Sequence, residues 1–204
     1  MARRGADVLA DAIRAGVGDV HLAVSGGTTP RRMFALLAGE ELAWARVHLW
    51  QVDERDAPAG DPARNRTLLE ASGLAARCRF HPMPVESGDA AAYARELAGV
   101  RFDVVHLGMG ADGHTASLVP GDPVLAEDHA DVALTGPYQG RRRMTLTYPV
   151  LDRARTVLFV VTGADKAAMV ARLVRRDPAI PAGRVTGQRA LIMADAAAAG
   201  GANA

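Results

Sequence analysis

The chain has 204 residues, with 49% hydrophobic and 23% charged residues and a formal net charge of +1. These values suit one globular domain over 1–204 with a core able to stand alone, and the near-neutral balance argues against a nucleic-acid partner or a polybasic membrane contact. A single cysteine, Cys78, excludes an internal disulfide and fits a reducing cytoplasm, and no apolar run approaches the roughly 18 residues of a membrane helix.

In chain order, the first segment is MARRGADVLADAIRAG. Asp7, Asp11 and Arg14 interrupt any signal-peptide core, so it reads as an amphipathic helix with Val8, Leu9, Ala12 and Ile13 inward. A strand follows at Val20–Val24, then a helix over Pro30–Ala38 with the proline in its first turn. Next come a strand over Val47–Val52, a helix over Pro62–Ser72 also opened by proline, and a helix over Asp89–Ala98. Beyond them lie strands at Phe102–Leu107 and Thr156–Val161, with a weaker one at Met144–Thr147. The C-terminal part predicts a helix over Ala164–Arg175, a strand over Ala190–Met193 and a short helix over Asp195–Ala199.

The runs FDVVHL and TVLFVV are almost continuously apolar, which requires burial on both faces. The expected fold class is therefore α/β, a three-layer α/β/α arrangement around a mostly parallel, Rossmann-like sheet. Loops rich in Pro and Gly occur at 56–62 and 120–123, after strands, where open α/β sheets bind their ligands. A third, 176–183, follows a helix and is expected to be a plain connector.

Four clusters carry chemistry-bearing residues. Ser25-Gly-Gly-Thr-Thr-Pro30 joins a strand to a helix; it is either a phosphate cradle of backbone N–H groups and hydroxyls or a tight turn without a ligand. It lacks the GxxxxGK[ST] pattern of a P-loop. Asp53-Glu-Arg-Asp56 places four charges at a strand's end, with Asn65 and Arg66 following; these face a cleft or water. Gly108-Met-Gly-Ala-Asp-Gly-His114 puts Asp112 two residues before His114, a base beside a carboxylate that can orient it, provided that Gly113 bends the chain. The same segment fits GxGxxG, but Pro120 and Pro123 arrive too soon for the sustained helix of a nicotinamide-binding unit. The fourth cluster is late in the chain. Arg141-Arg142-Arg143 reads as a solvated loop or as a run of which one member serves a site, and Lys166, the only lysine, sits against the dipole of a helix start, either as a surface lysine or beside a bound anion. The remaining histidines show no metal-ligand spacing, and His21, His48 and His106 are expected to be packed or capping groups. Without a GxSxG elbow, Ser25 and Ser117 carry no sign of activation, which leaves water as the nucleophile.

Taken in order, SGGTTP, VDER, GMGADGHTASLVPG, RMT and GADKA resemble the 6-phosphogluconolactonases over about residues 20 to 170. The wider superfamily includes glucosamine-6-phosphate deaminases, which carry a Glu where this chain has Val119 and DEY where it has Asp53-Glu54-Arg55. Both differences favour the lactonase. Two departures from the family pattern stand out: the strand that often precedes the first helix is missing or shortened, and Thr28 replaces the commoner Ser.

The resemblance implies hydrolysis of 6-phospho-D-glucono-1,5-lactone. It puts the phosphate on Gly26, Gly27 and Thr28, with Arg143 and Lys166 balancing its charge and Asp53 and Asn65 toward the rest of the substrate. It makes His114 the base that activates water, Asp112 its orienting carboxylate and Arg55 the stabiliser of the oxyanion. No metal or organic cofactor is required. The expected partner is a sugar-phosphate lactone, with no nucleic acid or membrane, and the protein is expected to be a cytoplasmic monomer. Alternatives are a deaminase-like aldose–ketose isomerase, a nicotinamide dehydrogenase, and a non-catalytic sugar-phosphate-binding protein.

Overall fold

The computed structural model describes residues 1–201, and its frame is a six-stranded, wholly parallel sheet. The elements are α1 (Ala2–Ala15), β1 (Val20–Val24), α2 (Arg31–Ala38), β2 (Val47–Gln51), β3 (Asp53–Arg55), α3 (Asn65–Ala71), β4 (Arg79–His81) and α4 (Ala90–Glu96). Then follow β5 (Val104–Leu107), β6 (Val132–Leu134), β7 (Arg143–Leu146), α5 (Tyr148–Asp152), β8 (Thr156–Val161), α6 (Ala167–Val174), α7 (Pro181–Arg184) and β9 (Arg189–Ala194). Strand order in the main sheet is β4-β2-β1-β5-β8-β9, and β3-β7-β6 form a second, antiparallel sheet.

Alternate residues of each parallel strand feed opposite cores. Leu22, Val24, Leu49 and Val104 pack with Leu9 and Ile13 of α1 and with Met33, Phe34 and Leu37 of α2. Ala23, Val105, Val157 and Phe159 pack on the other side with Tyr93 of α4, Leu151 of α5 and Val170 and Leu173 of α6. Truncating any of the fully buried leucines to Ala would cost about 2–5 kcal/mol. No helix among the described residues is long and apolar enough to cross a membrane.

Several elements differ from the sequence expectation. The inward stripe of α1 is Ala6, Leu9, Ala10 and Ile13, while Val8 and Ala12 are only half-buried. α2 begins one residue after Pro30. α3 begins at Asn65 rather than at Pro62 because Arg64 is extended (φ −73°, ψ 135°) and buried. Its first N–H groups are taken by a remote carboxylate: Asn65 N and Arg66 N donate to Glu54 at 2.8 Å each. Residues 195–199 form turns rather than a helix; Asp195 Oδ1 accepts from Ala198 N at 2.8 Å and from Gly163 N at 3.2 Å, which ties the segment to the loop after β8. The segment 176–183 is not a plain connector. It enters α7, Ala182 N donates to Gly113 O at 3.0 Å, and Ile180 stands directly behind Gly113.

Candidate active site

The carboxyl ends of β1, β5 and β8 and the strands β3 and β7 converge on a cleft of about 260 Å³. A larger hollow of about 670 Å³ opens near Asp11, Asp19, Arg101 and Arg155, at the opposite ends of the parallel strands. The smaller cleft gathers the residues singled out from the sequence. Its wall combines the Gly26–Pro30 turn, His114, and the charged groups Asp53, Arg55, Arg143 and Lys166. Three cations face one carboxylate, which suits an anionic ligand.

The turn after β5 builds the His114–Asp112 pair. His114 Nδ1 donates to Asp112 Oδ1 at 2.6 Å, and His114 N donates to the same oxygen at 3.1 Å. Gly113 has φ 83°, the left-handed bend that lets residues two apart meet. With Nδ1 engaged, Nε2 is the imidazole's free nitrogen. Partial burial works against the Asp112 carboxylate, but the backbone N–H and imidazole of His114 outweigh it and hold Asp112 below the usual carboxylate range. Tyr138 adds a donor, its OH reaching Asp112 Oδ2 at 3.3 Å, with its ring edge-on to His114 at 5.3 Å between centroids.

Gly110 is required by this geometry, since a Cβ there would collide with the His114 ring and with Asp112 Oδ1. Gly110→Ala is therefore expected to push His114 off the carboxylate and cut turnover at least tenfold, a 1 Å displacement being enough for such losses. Steady-state kinetics beside a circular-dichroism melt check this; unchanged kcat would show that the pair tolerates displacement.

The opposing wall comes from β3 and β7. Arg143, the one member of its basic run that is buried, lies under Tyr138 with its Cζ 4.9 Å from the ring centroid, and burial lowers its basicity. Arg141 and Arg142 instead pair at the surface with Asp61 and Asp56. The Arg55 guanidinium donates to Ala63 O at 3.0 Å and to Asn65 Oδ1. Asn65 Nδ2 donates to Asp53 Oδ1 at 2.9 Å, and its side chain packs against the Cα of Gly26. Ser117 Oγ donates to Asp53 Oδ2 at 2.6 Å, so both Asp53 oxygens hold the wall together as well as facing the cleft. Lys166 closes a 3₁₀ turn, Ala164–Lys166, with Nζ 2.7 Å from Asp165, and Thr29 and Thr162 join the two loops at 3.0 Å between hydroxyls. Arg66, exposed at the surface, pairs with Glu70 at 2.8 Å and does not line the cleft.

All ten residues singled out from the sequence for the site lie in this region: Gly26, Gly27, Thr28, Asp53, Arg55, Asn65, His114, Arg143 and Lys166 line the cleft, and Asp112 stands behind His114. Sequence reasoning missed Tyr138, and it gave Ser117, His106 and the keystone Glu54 no role of their own in the site. Glu54 is 0% exposed and also accepts from Gln51 Nε2 and Arg55 N at 2.8 Å each. Only a map of contacts across ten or more residues exposes such roles.

Comparison with known proteins gives concordant likenesses. The family model for glucosamine-6-phosphate isomerases/6-phosphogluconolactonase matches residues 1–193. A 6-phosphogluconolactonase of Mesorhizobium japonicum is 40% identical over 181 residues, which is 81% of this chain and 76% of that protein. The GDH/6PGL endoplasmic bifunctional protein of Homo sapiens is 42% identical over 182 residues, 78% of this chain, and the chain spans only 23% of its length. Among solved structures, a 6-phosphogluconolactonase from Shewanella baltica superposes with a TM-score of 0.84 at 27% identity, covering 95% of this chain and 92% of that one.

Proposed function

The chain belongs to the glucosamine-6-phosphate isomerase/6-phosphogluconolactonase family, and from that premise we propose that it hydrolyses 6-phospho-D-glucono-1,5-lactone to 6-phospho-D-gluconate. One observation carries the reading: the Asp112–His114 pair opens onto a cleft whose other walls present Arg55, Arg143 and Lys166. A base alone would serve many reactions. A base facing a cation-lined pocket the size of one sugar serves a phosphorylated substrate.

In this mechanism the phosphate sits on the Gly26–Thr28 turn, with Lys166 and Arg143 balancing its charge. Neutral His114 takes a proton from water through Nε2 as the water oxygen bonds to C1. The carbonyl electrons move onto oxygen, and Arg55, fixed by Ala63 O and Asn65, stabilises that oxyanion. Collapse breaks the bond from C1 to the ring oxygen, which receives the proton back from His114. Asp112 keeps the imidazole oriented and stabilises its charged form. Asp53 takes a substrate hydroxyl while retaining its bonds to Asn65 and Ser117. The reading includes action by a cytoplasmic monomer, formed by residues 1–204 as one unit, on a free small molecule. The isomerase alternative lacks its proton-transferring carboxylate: the corresponding position is Val119, 9% exposed and apolar.

The test is lactone disappearance, with freshly generated substrate and spontaneous opening subtracted. The unmutated chain should accelerate opening and release no ammonia from glucosamine 6-phosphate. Lys166→Ala should raise KM about tenfold or more with a smaller change in kcat, as expected for a charged group that grips substrate and transition state alike. Absence of acceleration by the unmutated chain, or ammonia release, would overturn the assignment.

A further inference from the structure

Four of the seven buried, unpartnered side-chain atoms among the described residues belong to groups bordering the cleft: Ser25 Oγ, both ring nitrogens of His106, and Arg143 Nε. His106 plays no part in the mechanism above. It is the penultimate residue of the central strand β5, is 1% exposed, and lies on the sheet face covered by α2, where Phe34 meets its ring edge-on at 5.6 Å between centroids. Its carbonyl accepts from Ser25 N at 3.0 Å, so the two residues are neighbours at the floor of the cleft, beneath the turn that leads into α2.

An apolar residue at this place would match its neighbours Val24 and Leu158. Burial instead holds a polar ring here, pushed down to about 3 and therefore neutral at neutral pH. A neutral imidazole presents one N–H and one lone pair. Interiors rarely leave such groups unmatched, and the exceptions gather where a ligand or water completes them.

We propose that His106, together with Ser25, is a specificity-determining pair. The two supply the buried donors that engage a phosphoryl group, directly or through one water, when it enters the Gly26–Thr29 turn. The identity of the phosphorylated ligand rests on the lactonase reading; the role of the pair does not depend on how the lactone is opened.

The test uses the full chain and two probes that differ only in the phosphoryl group, 6-phospho-D-gluconate and D-gluconate. Imidazole ¹⁵N resonances report hydrogen bonding directly. The phosphorylated probe should shift both His106 and His114, and D-gluconate should leave His106 unmoved. A shift at His114 with none at His106 would overturn the pair while leaving the lactonase reading intact. No response at either ring, together with no turnover, would remove both. In parallel, His106→Leu should raise KM for the phosphorylated lactone about tenfold, leave kcat within about threefold, and raise the thermal midpoint by a few degrees, because two unmatched polar atoms are gone. A stabilised variant with unchanged KM would reduce His106 to a packing role. Should the variant fail to fold, the resonances of the unmutated chain decide alone.

Discussion

His114→Ala is expected to lower kcat by about 10²–10⁴ while changing KM little, the range that positioned proton transfer contributes. The argument starts from geometry. The imidazole's Nδ1 is committed to Asp112 at 2.6 Å, the turn that holds it is backed by Ile180 and Ala182, and the ring borders the cleft. Alanine removes the proton acceptor and, besides it, only the ring's contacts with Asp112 and Tyr138. The remaining apparatus, Arg55 and the phosphate grip, should still bind substrate, so the loss belongs in kcat. Lactone disappearance at saturating substrate, corrected for spontaneous opening, measures it. A variant that retains half the parental turnover would place the base elsewhere.

Glu54→Ala is the substitution expected to cost most stability, about 3–5 kcal/mol, the usual penalty for removing one member of a buried charge pair. Glu54 is fully buried and receives hydrogen bonds from Gln51, Arg55 N, Asn65 N and Arg66 N, with Arg64 Nε 3.5 Å away. Removing the carboxylate takes its buried partner from the Arg64 guanidinium, itself 1% exposed, leaving it only the half-exposed Glu86 as a charged partner, and uncaps α3. It also takes the acceptor from Arg55 N, while β3 keeps its pairing with β7. Urea unfolding followed by tryptophan fluorescence checks the prediction: the midpoint should fall while the slope is kept. A shift worth under about 1 kcal/mol would mean that water replaces the carboxylate. Activity should fall with it even where the variant remains folded, because Glu54 holds the main chain of Asn65, whose Oδ1 holds the Arg55 guanidinium.

The parallel sheet was legible because its central strands are apolar without interruption, a pattern that only two-sided burial explains. Its edge strand β4 and the second sheet were less so. β3, β4 and β6 have three residues each, too few to show any period. The start of α3 was misplaced because the sequence offers proline at 62, whereas the actual cap is a carboxylate eleven residues upstream of Asn65. The site itself was legible where chemistry is local: Asp112 and His114 need only one glycine between them. Where a role depends on residues distant in the chain, the linear pattern is silent. Ser117 reaches Asp53 across 64 positions, Tyr138 reaches Asp112 across 26, and Ile180 supports Gly113 from a loop that looked like mere connection.

Between β2 and β3 lies Val52, whose N–H donates to Val24 O at 3.1 Å and whose carbonyl accepts from Leu146 N at 2.8 Å. One residue thus belongs to both sheets, tying the strand that feeds the Gly26–Pro30 turn to the strand that carries Arg143. The spacing between those two walls is consequently a fixed gauge, set by main-chain bonding. Exchanging side chains along the cleft can retune its polarity, but how long a molecule it spans is decided at this joint.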